Sequence, residues 1–221
     1  MKNLIVLIAF QFFCFPAFSE NYTLSGDNNG SLSRSGRVLS FHWYYNNRKF
    51  DMDLILGDDF EVLQSYFTNQ RGYNSDYRKR QFNDPGRNII HTVAQFLKDR
   101  SEENGYDTGE FILHFVQALR YDDNNHQIER FPSETLIDYA GDCSDTALLY
   151  ASLMQEINIS NILLQYKQGN HLAVGIWSND RNGTYYPYIG RKYYYCETTG
   201  SGFAFGEAPE DTVAEEAVII P

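Results

Sequence analysis

The chain has 221 residues, a formal net charge of −11 and 16% aromatic residues, with 17 tyrosines and 16 phenylalanines. So acidic a protein is excluded as a nucleic-acid or anionic-lipid binder, because its own field repels both. Its length suits one medium-sized domain that buries a full core without cross-links.

The first 19 residues read as a secretory signal. Lys2 supplies the early positive charge, Leu4 to Phe15 form an apolar run, Pro16 breaks it, and Ala17 and Ser19 are the small residues of a cleavage site. The run contains Gln11 and falls short of the ~20 residues a spanning helix needs, so no stable membrane span is expected in the mature form. The protein is expected to be secreted, periplasmic or at the cell surface. Cleavage near Ser19 removes Lys2 and Cys14 and leaves two cysteines, Cys143 and Cys196. In an oxidising compartment two cysteines pair by default.

Residues 20–57 form the next region. After a polar stretch, Leu39, Phe41, Trp43 and Tyr45 alternate with Val38, Ser40, His42 and Tyr44, then Asn46-Asn47 turns the chain. Phe50, Met52 and Leu54 resume the alternation between Asp51 and Asp53, which predicts a β-hairpin with one wet face. Residues 58–221 make up the main domain. A helix is predicted from Asp59 with Phe60, Leu63 and Phe67 on one side, and the basic run "YRKRQ" after it reads as a solvated loop. A second helix starts near Pro85 and carries Ile90, Val93, Ala94 and Leu97; a third follows Asp107, with Glu110 three residues on as a capping pair. In "GDCSDTALLYASLM", Asp142 is an N-cap, and Ala147, Tyr150, Ala151 and Met154 mark a helix buried along one side. Four strand-like segments follow: "NILLQY", "HLAVGIW", "GTYYPYI" and "KYYYCETT". Helices before strands indicate an α+β fold with an antiparallel sheet. The acidic C-terminal segment reads either as a closing strand or as a frayed tail.

Three polar residues stand where chemistry could use them. Cys143 opens the buried helix, His171 begins "HLAVGIW", and Glu197 follows "KYYYC". Unpaired N–H groups at a helix start favour a thiolate and could hold an oxyanion. An imidazole can move the thiol proton, and a carboxylate on its other nitrogen fixes the tautomer. Each residue taken singly also has an ordinary structural reading. No HExxH, CxxC or GxSxG motif is present, and His42, His91, His114 and His126 lack ligand spacing.

"GDCSDTALLYASLM", "NHLAVGIW" and "YYYCETTG" together resemble the transglutaminase-like superfamily, a papain-like fold. "FVQALRYDDN" and "FPSETLIDYAGDC" look like a bacterial and archaeal, cysteine-protease-type branch of it, and the likeness spans about residues 110–206. The resemblance implies a Cys-bearing helix packed on an antiparallel sheet that supplies His and an acid in that chain order. Cys143 then matches the nucleophile, His171 the base and Glu197 the orienting acid, where the superfamily usually has Asp. It implies acyl transfer or hydrolysis at an amide or peptide bond through a thioester, on a protein or peptide substrate, with no cofactor. No DxDxDG loop suggests calcium activation. Two other readings stand beside it: a binding module that kept the fold without turnover, and a structural domain stapled by a Cys143–Cys196 disulfide. Side chains alternate along a strand, so Cys196 is expected to point away from Glu197 and to be a packed free thiol.

Overall fold

In the computed structural model, which describes residues 22–25, 37–57, 60–70, 76–123, 129–179, 181–213 and 216–221, the N-terminal alternation forms a three-stranded sheet. The proposed signal, residues 1–19, lies outside the described residues. Strands β2 (Arg37–Tyr45) and β3 (Arg48–Leu56) are the expected hairpin, and β1 (Tyr22–Ser25) adds to the free side of β3. Asn46 and Asn47 take φ of 48° and 60°, the positive pair of a type I′ turn. Phe41, Trp43, Tyr45, Phe50, Met52 and Leu54 are buried on one face. That face lies on the helix that starts at Thr108, with Trp43 5.2 Å from the Phe115 ring and 5.6 Å from Phe111. Burial of each such side chain stabilises by about 1.5–3 kcal/mol, so the hairpin shares the core of the helices.

Helix α1 (Phe60–Gln70) buries Leu63 and Phe67 as expected. The basic run is a helix, α2 (Tyr77–Phe82), and not a solvated loop. Asp76 caps it, accepting from the Lys79 N–H at 3.0 Å. Its arginines are drawn inward by their long stems, and main-chain carbonyls accept from their heads. Arg80 Nη2 donates to Glu129 O at 2.6 Å, and Arg78 Nε donates to Pro221 O at 2.8 Å. Helix α3 (Arg87–Glu103) buries Ile90, Val93, Ala94 and Leu97. Helix α4 (Thr108–Gln117) starts at Asp107, whose carboxylate accepts from the Glu110 N–H at 2.9 Å.

The chain then makes a short strand, β4 (Arg120–Tyr121), a helix not expected from periodicity, α5 (Pro132–Asp138), and a second short strand, β5 (Ala140–Gly141), parallel to β4. Helix α6 (Cys143–Glu156) follows at once. It was expected to be buried along one side, but every residue from Cys143 to Met154 is buried, because α3, α4 and α5 pack around it while the strands Asn161–Tyr166 and His171–Trp177 cover the rest. Strands β6 (Asn161–Tyr166), β7 (His171–Trp177), β8 (Tyr185–Tyr188) and β9 (Arg191–Cys196) correspond to the four segments. A short helix α7 (Glu210–Val213) leads to β10 (Val218–Ile220), which pairs with β6 and so makes the C-terminal segment a closing strand. The sheet order is β10-β6-β7-β9-β8, antiparallel throughout. The α+β class, with the Cys-bearing helix on an antiparallel sheet, is therefore as the sequence indicates.

Candidate active site

The start of α6 is built by local capping. Asp142 Oδ1 accepts from the N–H groups of Ser144 (2.9 Å) and Asp145 (3.1 Å) and from the Ser144 hydroxyl (2.7 Å). The Cys143 N–H is the first-turn donor that takes no capping bond. Upstream, Tyr139 ends α5 with φ 53° and ψ 30°, a left-handed conformation that costs a side-chain-bearing residue roughly 1–2 kcal/mol. Its ring is packed edge-on against Phe41 at 5.2 Å, which offsets that cost. Gly141 is needed for space: a Cβ there would lie 2.6 Å from Asp145 Cβ and 3.1 Å from Thr135 Cγ2.

Beneath the helix start lies an ion cluster. Asp145 is fully buried, and its carboxylate accepts from Arg130 N–H (2.7 Å) and Nη1 (2.8 Å). The same guanidinium donates Nη2 to Asp122 at 2.8 Å and Nε to Asp138 at 3.2 Å. Burial pushes the Asp145 carboxyl up, Asp142 beside it adds to this, and Arg130 opposes both. One arginine thus joins the β4 end, the α5 end and the first turn of α6.

His171 opens β7, and Glu197 lies one residue beyond the end of β9, the strand next to β7. Nε2 of His171 is 3.0 Å from Glu197 Oε2. The Cys143 thiol, at the start of α6, is near enough to act on the same ring and favours its charged form. Cys143 Sγ also lies 3.8 Å from Asn170 O, directly before His171. Burial alone would lower the His171 pKa, but the bonds to Cys143 and Glu197 and their charges raise it to about 10. For Glu197, burial pushes the carboxyl up, and the His171 bond and charge, with donors from Thr199 and Tyr195, bring it below the ordinary value. Of the three residues singled out in the sequence, His171 and Glu197 are hydrogen-bonded, and Cys143 bears on the same imidazole from the helix start.

Two ties bring the helix and sheet into register. The hydroxyls of Thr146 and Thr198 are 3.0 Å apart, and Gln117 Nε2 donates to the Glu197 carbonyl at 2.8 Å. Periodicity carries no signal for these contacts or for Arg130, and the Tyr195 hydroxyl, which donates to Glu197 Oε2 at 2.6 Å, was also missed. Tyr195 lies two residues before Glu197, so strand alternation could have placed both on one face. Cys196, between them, points the other way. It is a free buried thiol whose Sγ accepts from Tyr150 OH at 3.9 Å, and burial pushes its pKa up. Cys143 is free as well, so no disulfide joins the two.

A cleft of about 310 Å³ borders His171 and Glu197, with Tyr166, Thr199, Phe203 and Thr212 among its walls. Tyr121, 55% exposed, stands on the Cys143 side, paired in register with Gly141. Burial, and then the charges of Cys143, Asp123 and Asp142, push its phenol up. Among the described residues no three His, Cys, Asp or Glu side chains stand close enough to hold a metal ion.

No family model matches the chain, and no curated protein matches it. Solved structures do. LapG of Legionella pneumophila is similar at 15% identity over 73% of this chain and 81% of that one, with a TM-score of 0.39. Its EGTA-treated form gives 14% identity at the same coverage and score. A candidate cysteine protease from Cytophaga hutchinsonii gives 14% identity over 91% of this chain and 74% of that one, with a TM-score of 0.37. No helix among the described residues is long and apolar enough to cross a membrane.

Proposed function

We propose that this protein is an extracytoplasmic cysteine enzyme of the transglutaminase-like kind, exported by its first 19 residues, that transfers or hydrolyses acyl groups at amide or peptide bonds. The observation that supports this reading is the Glu197 carboxylate 3.0 Å from His171 Nε2, on a ring whose charged form the Cys143 thiol also favours. A buried thiol, imidazole and carboxylate in that series are what acyl transfer needs.

In the proposed cycle the Cys143 sulfur attacks the amide carbon, and the oxyanion that forms is held by the Cys143 N–H. The C–N bond then breaks as the His171 imidazolium gives its proton to the departing nitrogen, leaving an acyl thioester on Cys143. Water or a primary amine gives a proton to His171 and attacks the thioester carbon. The thiolate leaves, the His171 proton restores the ion pair, and an acid or a new amide is released. Glu197 stays ionised and stabilises the imidazolium in both halves.

Native protein treated with a thiol-directed peptidyl electrophile should be labelled at Cys143, while Cys143→Ala should not be labelled. With a peptide mixture and a fluorescent primary amine, the same variant should lose both cleavage and amine incorporation. Peptides bound but returned intact, with no labelling of Cys143 in the native protein, would refute the enzyme and favour the binding module.

A further inference from the structure

A glutamate has one more rotatable bond than an aspartate, and an orienting acid that swings does not fix a tautomer. Both oxygens of Glu197 are hydrogen-bonded. Its Oε1 accepts from the Thr199 N–H at 2.9 Å and from the Thr199 hydroxyl at 2.6 Å. Its Oε2 accepts from the Tyr195 hydroxyl at 2.6 Å and faces His171 Nε2 at 3.0 Å. Each carboxylate oxygen thus has two partners, near the full capacity of a carboxylate. The Tyr195 oxygen is also 3.3 Å from His171 Nε2, so the hydroxyl touches both members of the pair.

Tyr195 is built to stay in place. Its side chain is fully buried, and its ring meets Tyr166 edge-on with centroids 6.3 Å apart. Its main chain is bonded on both sides, N–H to Thr184 O at 3.0 Å and carbonyl from the Gly206 N–H at 2.8 Å. Burial and the Glu197 charge push its phenol far up, so it remains an O–H donor at every working pH. Donors to a charged group are shorter and stronger than neutral ones.

We propose that Tyr195, together with Thr199, is the positioning residue that lets the long side chain of Glu197 orient His171. This rests on the function proposed above, but it acts through Glu197 and not on the substrate. Tyr195→Phe keeps the ring packing and removes the hydroxyl. Glu197 then loses a donor that favours its ionised form, so its protonation midpoint should rise by about one pH unit. The acid limb of kcat/KM should move with it, and kcat should fall about tenfold with KM unchanged.

Carbon-13 NMR of the carboxyl groups, with Glu197 assigned through Glu197→Gln, reads the midpoint without any substrate. Thr199→Val should shift it in the same direction, and Thr199→Ser should restore it; this pair carries the test if Tyr195→Phe does not fold. An unchanged Glu197 midpoint in folded Tyr195→Phe and Thr199→Val, with Cys143 still reactive, overturns the positioning role alone. A shifted midpoint with an inert Cys143 overturns the enzyme and leaves the clamp.

Discussion

The His171 imidazolium is held about 3.5 pH units above its ordinary 6.5, at about 10, against the pull of burial. At roughly 1.4 kcal/mol per pH unit, Cys143 and Glu197 together favour the charged ring by about 5 kcal/mol beyond what burial removes. Changing Glu197 to Gln takes away one of the two partners and its charge while keeping most of the shape. The His171 pKa should then fall by about two pH units. Nitrogen-15 NMR of the imidazole ring, followed from pH 5 to 11, measures it directly. The same change has a signature in stability. A raised histidine contributes stability that is fully present below its unfolded value of 6.5 and is lost as pH rises through about 10. The lowered carboxyl of Glu197 contributes stability present above its unfolded value of 4.5 and lost as pH falls through its lower folded value. The stability difference between wild type and Glu197→Gln should therefore be greatest between pH 4.5 and 6.5 and should shrink towards pH 10. If His171 in the wild type titrates near 6.5, or titrates alike in both proteins, the ion-pair reasoning is wrong.

Other changes separate chemistry from folding. In peptide assays, Glu197→Gln should lower kcat by up to ~10⁴-fold, the range seen when an orienting acid is replaced by its amide; equal rates would remove Glu197 from the site. Arg130→Ala leaves the buried Asp145 carboxylate without its partner and should cost about 3–5 kcal/mol in urea unfolding, the usual result of breaking a buried ion pair. Gly141→Ala pushes a methyl into Asp145 Cβ and Thr135 Cγ2, so it should destabilise by about 1–3 kcal/mol and slow alkylation of Cys143 by displacing the helix start. An unchanged alkylation rate would show that the helix start tolerates the shift.

Local pattern made much of this protein readable. Period-two alternation in residues 38–54 specified a hairpin and its buried face, because strand side chains alternate whatever lies beneath them. Asp107 and Asp142 marked helix starts because a side-chain cap bonds within three residues. The same alternation foretold that Cys196 and Glu197 diverge, and hence that the thiols stay apart. Tertiary structure decided what depends on distant neighbours. Periodicity marked one apolar side of α6, but its burial all round follows from three helices and two strands meeting on it. The arginines of α2 read as solvated because sequence carries their charge but not the carbonyls of Glu129 and Pro221 that receive them. Arg130, Gln117 and Thr199 left no periodic mark either, since each acts through a bond of fixed direction. Residue type and position made Cys143, His171 and Glu197 candidates, and a family resemblance gave them roles; only the antiparallel pairing of β7 with β9 brought His171 and Glu197 into contact.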